Sequence, residues 1–350
     1  MSKPWIVARE GNRVRWGGDL RRRFLLEALA LHTGAAPTDD WTLKALRTVL
    51  PPAKPRRRRP RLASCEFFDP ATLRFVLENA RPTLLDIHDD PVAQFDVMHL
   101  ELAPERRREL NELKESNVSS FKLYSAPSET FVTLTGLPPE RTVVAWNGTN
   151  TSVVVPSPWP VDPVVGMTSG AAPERGIETL IEAMRIVRKT IPDARLCLWL
   201  TATGPESKTY LDSLVASIVE EEWIAVDSVK YADLGATIGT AKVLCVPSPP
   251  NPYMDSATPV KLADSLAAGR PVVVTPRVEA RRIVERFEVG TVSEGDEPEQ
   301  LAAAIESLLL DDMLAQQLGD RARAVAVQEL DWDVIGQRLV RWLRRKLWWF

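Results

Sequence analysis

Lys261 and Asp264 stand three residues apart in the stretch ATPVKLADSLAAGRPVVVTP, residues 257–276. On a helix that spacing puts both on one face near the first turn, where free backbone N–H groups and the positive dipole end attract anions. An ammonium beside such N–H groups suits a phosphate. A carboxylate one turn further suits the vicinal hydroxyls of a ribose or another sugar. The same spacing also describes a plain surface ion pair, worth about 0.2–0.5 kcal/mol. His88 closes a second informative run, TLLDIHDDP. A histidine at a strand end can donate a hydrogen bond to a sugar hydroxyl or stabilise charge in a reaction. His32, inside an amphipathic stretch, and His99, in an irregular one, read as structural.

The elements that must carry these groups follow from the surrounding pattern. Thr258 is a good N-cap and Pro259 a good first helical residue. Val260, Leu262, Ala263, Leu266 and Ala267 supply an apolar face, Gly269 stops the helix, and 271–275 resumes as a β-branched strand. His88 follows a strand at 83–87, and in open parallel sheets the carboxyl ends of strands face the ligand crevice. Upstream, a strand at 5–9 leads through Trp16, Gly17 and Gly18 into a helix at 19–33 that begins with Asp19. The loop lacks G-x-G-x-x-G spacing, which argues against a dinucleotide-dependent dehydrogenase. In the second half a strand at 161–167, a helix at 174–190 led by Arg175 and Gly176, a strand at 195–200, the turn Thr203-Gly204-Pro205, a helix at 232–240 and a strand at 242–247 alternate regularly. Such alternation predicts α/β architecture with doubly wound parallel sheets. The prolines of 153–163 predict an extended linker and the domain boundary.

With 350 residues, 45% of them apolar and 26% charged, the chain can form two domains with sizeable cores. Its three cysteines, Cys65, Cys197 and Cys245, are odd in number and set in apolar runs, which argues against a disulfide framework and for a reducing cytoplasm. No apolar run has signal-peptide or membrane-spanning form, so secretion and spanning are not expected. The net charge of −3 is unevenly spread: residues 1–61 hold 15 Lys and Arg against 5 Asp and Glu, and the last 14 residues hold five cations and no acid. Neither block carries a groove-reading motif or a stacking platform, so nucleic acid is not the expected partner. The run KPRRRRPR at 54–61, opening on Lys54 and closing on Arg61, reads as a surface loop or as a contact with anionic lipid or an anionic acceptor. The tail DWDVIGQRLVRWLRRKLWWF is an amphipathic basic helix that can pack on the fold or lie at a membrane interface.

The segment TPVKLADSLAAGRPVVVT resembles the nucleotide-sugar signature of the group 1 glycosyltransferases, the retaining family 4 with the GT-B fold. APERGIETLIEAM is similar to that family's Arg-Gly helix start, and GLPPERTVVAWNGTN to the close of its first domain. The resemblance implies two Rossmann-like domains facing a cleft, at 1–155 on the acceptor side and 156–330 on the nucleotide-sugar side, with a C-terminal helix at 331–350 crossing back. It implies a cytoplasmic enzyme moving a hexosyl group from a nucleoside-diphosphate sugar to an acceptor hydroxyl, with retention and with neither metal nor cofactor. Peripheral contact with the inner membrane face through 54–61 or the tail is compatible with it.

Carried over residue by residue, the resemblance gives catalytic roles to His88, Arg175 and Lys261, the two cations holding the donor diphosphate and His88 standing near the donor sugar. Gly204, Ser256, Thr258, Pro259, Val260 and Asp264 fall on donor-binding positions, with Asp264 on the ribose. Ser256 occupies the place of the family's outer acid, with Asp255 beside it. Gly17, Gly18 and Asp19 fall on the acceptor-side loop, with Arg21 as a further polar contact. The alternatives are a catalytically silent relative acting as a scaffold and a nucleotide-sugar epimerase on the same fold.

Overall fold

The computed structural model describes residues 5–9, 17–35, 37–39, 59–64, 68–97 and 101–347. Most of the 54–61 run, Trp16, Cys65, His99 and the aromatic end Trp348, Trp349 and Phe350 lie outside them. The chain forms two compact units. One takes the residues up to Trp146 and those from Trp332 on, and the other is Asn147–Asp331.

The first unit runs β1 (Trp5–Arg9), α1 (Gly17–Thr33), β2 (Pro37–Asp39), β3 (Arg61–Ser64), α2 (Pro70–Asn79), β4 (Arg81–Asp86), α3 (Pro91–Val97), α4 (Pro104–Ser120), β5 (Leu123–Ala126), α5 (Glu129–Thr135) and β6 (Thr142–Val144). Its strands are parallel in the order β2-β1-β3-β4-β5-β6. Successive side chains on a strand point to opposite faces, and the core divides accordingly. Ala63, Leu84 and Leu123 face one apolar layer, and their neighbours Leu62, Leu85 and Tyr124 face the other.

The second unit runs β7 (Val164–Gly170), α6 (Ile177–Thr190), β8 (Arg195–Thr201), α7 (Pro205–Ser217), β9 (Ile224–Asp227), α8 (Leu234–Ile238), β10 (Val243–Val246), α9 (Pro252–Ser256), α10 (Val260–Ala267), β11 (Val272–Val274), α11 (Val278–Phe287), β12 (Gly290–Val292), α12 (Pro298–Leu309) and α13 (Asp312–Val325), closing in a π-helical turn, Ala326–Leu330. This sheet is also parallel, ordered β12-β11-β10-β7-β8-β9. The runs VLCV and VVV of β10 and β11 are buried throughout, as expected of strands covered on both faces. The first strand begins at Val164 rather than at 161. Pro160 and Pro163 cannot donate to a strand ladder, and Val161 is left 88% exposed.

The last helix, α14 (Trp332–Leu347), packs in the first unit: Ile335, Leu339 and Leu343 share a core with Leu25, Leu26 and Leu29 of α1. Gly336 permits that approach, since a Cβ there would stand 2.4 Å from the Ala28 Cβ. The division between units falls at Trp146, ahead of the proline run expected to form an extended linker and the domain boundary. Arg270, which is buried, and Arg323, which is half-buried, hold that run. Arg270 donates to the carbonyls of Ser157 and Pro158, and Arg323 to those of Thr151 and Val154.

Candidate functional site

In the second sheet the chain proceeds from β7 to β8 and β9 on one side, then returns to place β10 on the other side of β7. Ligands bind outside the carboxyl ends of strands at such a switch point. Two loops meet there. After β7 comes the turn Pro173–Arg175 and then Gly176, in the left-handed conformation with φ +71°, which opens α6 without a side-chain cap. After β10 comes Pro247, and its carbonyl oxygen would lie 1.8 Å from a Cβ on Gly176. Only glycine satisfies both the backbone conformation and the contact. Thr275, after β11, donates to the Ser248 carbonyl at 2.6 Å and ties a third strand end to the same edge.

Arg175 and Lys261 converge at this edge. Arg175 is half-buried, and among the described residues its buried Nε has no hydrogen-bond partner. Lys261 stands in the first turn of α10, whose N-terminus also lacks a side-chain cap. Desolvation, reinforced by the Arg175 charge, pulls the Lys261 ammonium down to about 7. Among the described residues neither cation is in an ion pair. Two cations pressed together and facing uncapped helix N–H groups are a demand for an anion.

Asp264, one turn along α10, has a different environment. It is 4% exposed, and Thr149 donates its hydroxyl to Oδ1 at 2.7 Å. Burial raises its carboxyl to about 7 against that hydrogen bond. Tyr231 lies close by, its phenol raised by burial first and then by the Asp264 charge. Lys261 and Asp264 therefore share a helix without pairing.

The residues around α10 depart from expectation in detail. Thr258 does not cap the helix: Pro259 holds the cap position. The Thr258 hydroxyl accepts from the Asn147 N–H at 3.2 Å and its carbonyl accepts from Asn147 Nδ2 at 2.7 Å. Pro259 and Val260 turn the chain into α10, and Val260 is 8% exposed. Ser256 is buried and donates to the Tyr253 carbonyl at 2.7 Å. Asp255 accepts from Arg277 Nη1 at 3.4 Å and from the Val278 N–H at 3.3 Å, so it serves the start of α11. Gly204 is exposed at the start of α7, after β8, and its N–H and that of Thr203 both donate to Ser207 Oγ at 3.0 Å.

His88 belongs to the first unit, just past β4. It is 9% exposed, with Nδ1 3.5 Å from Asp86 and Nε2 3.6 Å from Asp89, and among the described residues neither ring nitrogen has a hydrogen-bond partner. Gly17 and Gly18 form the first turn of α1 rather than a loop before it. Asp19 is buried in that turn, 3.8 Å from Arg22. Arg21 is fully buried. It grips Asp86 with Nε at 2.9 Å and Nη2 at 2.7 Å, and donates to the Ala145 carbonyl at 2.6 Å. It is a structural pairing where an acceptor contact was expected. Against the pull of burial, Arg21 and His88 hold the Asp86 carboxyl well below the usual range.

Thr149, Tyr231 and the Arg21–Asp86 pair were not singled out from sequence. The signal for Thr149 was the small-polar run NGTNTS directly after a strand, a composition that turns share.

Residues 162–311 match the sequence profile of the family described as glycosyl transferases group 1. That stretch is less than half of the chain and is similar to that family, and the fold is GT-B. A phosphatidyl-myo-inositol mannosyltransferase of Mycobacterium leprae is 27% identical to this chain over 169 residues, which are 48% of the chain and 42% of the relative. A GDP-mannose-dependent monoacylated alpha-(1-6)-phosphatidylinositol monomannoside mannosyltransferase of Corynebacterium glutamicum is 25% identical over 194 residues, 52% of the chain and 47% of the relative. The matches thus span less than half the length of these curated relatives. Among solved structures, sucrose-phosphate synthase from Thermosynechococcus elongatus superposes with a TM-score of 0.70 at 16% identity over 99% of both chains. Anabaena Alr3699/HepE in complex with UDP-glucose gives 0.67 at 17% identity over 98% of this chain and 100% of its own. At such identities these two share the fold. Among the described residues no group of three or more His, Cys, Asp or Glu could hold a metal ion, and no helix is long and apolar enough to cross a membrane.

Proposed function

We propose that the protein is a retaining, metal-independent glycosyltransferase that moves a hexosyl group from a nucleoside-diphosphate sugar to an acceptor hydroxyl. The observation that supports this reading is the convergence of Arg175 and Lys261, without an ion-pair partner among the described residues, at the switch point of the second sheet. Both bind the diphosphate, and the open N-termini of α6 and α10 add their N–H groups. Asp264 receives ribose hydroxyls on the oxygen that Thr149 leaves unused. His88 donates to the donor sugar, and Gly17, Gly18 and Asp19 belong to the acceptor side.

In the reaction the bond between the anomeric carbon and the phosphate oxygen breaks, and a bond from that carbon to the acceptor oxygen forms on the same face. The acceptor proton passes to the departing diphosphate, whose charge the two cations hold. The acceptor is lipid-linked, as the names of the curated relatives suggest, and 54–61 or the tail gives peripheral contact with an anionic membrane. Arg338, Arg341, Arg344 and Arg345 are exposed along α14 in support of that contact. Retention of the protein by neutral and anionic vesicles alike, or by neither, would count against it.

The test is a thermal-shift screen of GDP-mannose, UDP-glucose and dTDP- and ADP-sugars, followed by transfer assays with and without chelator. A donor at 100 times its Kd adds about 2.7 kcal/mol of stability. Arg175→Ala lowers turnover by ~10²-fold or more and turnover persists in chelator; loss in chelator removes the metal-free claim. A second reading, a silent relative acting as a scaffold, is favoured by the absence of a carboxylate at Ser256 and the engagement of Asp255 by Arg277. It requires that no nucleoside diphosphate be released even at high enzyme concentration.

A further inference from the structure

The segment 147–154 runs beside α10 and bonds to it at three levels. Asn147 holds Thr258, just ahead of the helix, through two hydrogen bonds. Thr149 holds Asp264 in its middle. Arg323 bridges the Ala267 carbonyl, at its end, to the Val154 carbonyl, both at 2.9 Å, and to the Thr151 carbonyl at 3.1 Å. The segment is itself fixed to the chain that leaves the unit. The Thr149 N–H donates to the Leu330 carbonyl at 2.9 Å, Thr149 bridges Asp331, and the Thr151 N–H donates to Asp331 Oδ2 at 3.1 Å. Thr149 has no exposed surface, so water does not substitute for its hydroxyl.

We propose that Thr149 is the positioning residue of the donor site: its hydroxyl, anchored through its own backbone to Leu330 and Asp331, fixes the Asp264 carboxylate with one oxygen engaged and the other turned to the ribose. The proposal rests on the reading of Asp264 as the ribose contact. A hydroxyl that donates to a carboxylate stabilises the ionised form, which is the form that can accept from two ribose hydroxyls. The ionisable groups about Asp264 are Tyr231 from the turn before α8, Asp331 beyond Tyr231, and Lys261 on the same helix. None of them donates to the carboxylate in place of Thr149.

The experiment compares the binding of GDP and dGDP, and of UDP and dUDP, to the full chain and to Thr149→Val and Thr149→Ser across pH 6 to 9. The wild-type protein prefers the ribonucleotide by about tenfold or more, the worth of one hydrogen bond to a charged group. Thr149→Val loses most of that preference while keeping its diphosphate affinity within a few-fold, and the pH at which the preference appears moves upward. Thr149→Ser restores both. Equal weakening of ribo- and deoxyribonucleotides in Thr149→Val, with the preference intact, overturns the positioning role. A wild-type protein that binds both alike overturns it as well, and leaves the diphosphate reading standing. Failure to bind any nucleotide removes the donor reading itself. Melting curves of the folded variants confirm that the comparison is between native proteins.

Discussion

Among the described residues Arg21 is the largest side chain that is fully buried, and its partner Asp86 is equally enclosed. A buried pair of this kind gains little net stability, but removing one member strands the other charge. Arg21→Met is therefore expected to lower the unfolding free energy by about 3–5 kcal/mol, read from urea denaturation, and Arg21→Met/Asp86→Leu to recover part of that loss. Ser125 also donates to Asp86, at 2.6 Å, so the carboxylate is over-determined and His88 sits on a rigid base. From sequence Arg21 was one of three adjacent arginines in a first helical turn, and nothing local distinguishes the inward one. The partner is 65 residues away and only the strand pairing of β4 brings it near. Arg175 was named from sequence only through the resemblance of APERGIETLIEAM to a family helix start, and the Pro247 carbonyl that requires the glycine after it lies far along the chain.

At the scale of elements the order of strands and helices could be read closely from alternation, since each apolar run is short and bounded by Pro or Gly. Edges were less legible. The helix expected at 174–190 begins at Ile177 because Gly176 takes a left-handed conformation, and the turn before it is 3-10. α13 ends at Val325 and widens into the π-turn that delivers Leu330 and Asp331 to Thr149. The packing of α14 on α1 gives the prediction proper to this scale. Leu339 is 2% exposed between the two helices, so Leu339→Ala costs about 2–5 kcal/mol of stability. Exposed Arg341→Ala on the same helix should change stability by less than ~0.5 kcal/mol. Equal losses for the two would mean that α14 does not pack as described.

Across the whole chain, the two-unit organisation was legible in the repeated alternation, and the boundary less so. Prolines suggested an extended linker, and the donors that capture its carbonyls, Arg270 and Arg323, come from more than a hundred residues later. The site shows the same limit. Lys261 and Asp264 were visible as a pair by spacing, whereas their separation into a cationic and an anionic environment depends on Arg175 on one side and Thr149 on the other.

That separation has a pH signature. The Lys261 pKa, lowered to about 7, leaves most of the side chain neutral at pH 8, and a bound diphosphate favours the ammonium and raises it. Donor binding at pH 8 therefore takes up a proton. Asp264, also near 7, is mostly ionised there already and releases little. The diester phosphates of a nucleotide-sugar do not titrate in this range, so the protein is the source of the exchange.

Calorimetric titration of GDP-mannose or UDP-glucose at pH 8, in buffers of different ionisation enthalpy, measures that exchange directly. The account predicts uptake approaching one proton by the wild-type protein and its disappearance in Lys261→Met. Binding with no proton uptake, or with the same uptake after Lys261 is replaced, would contradict it.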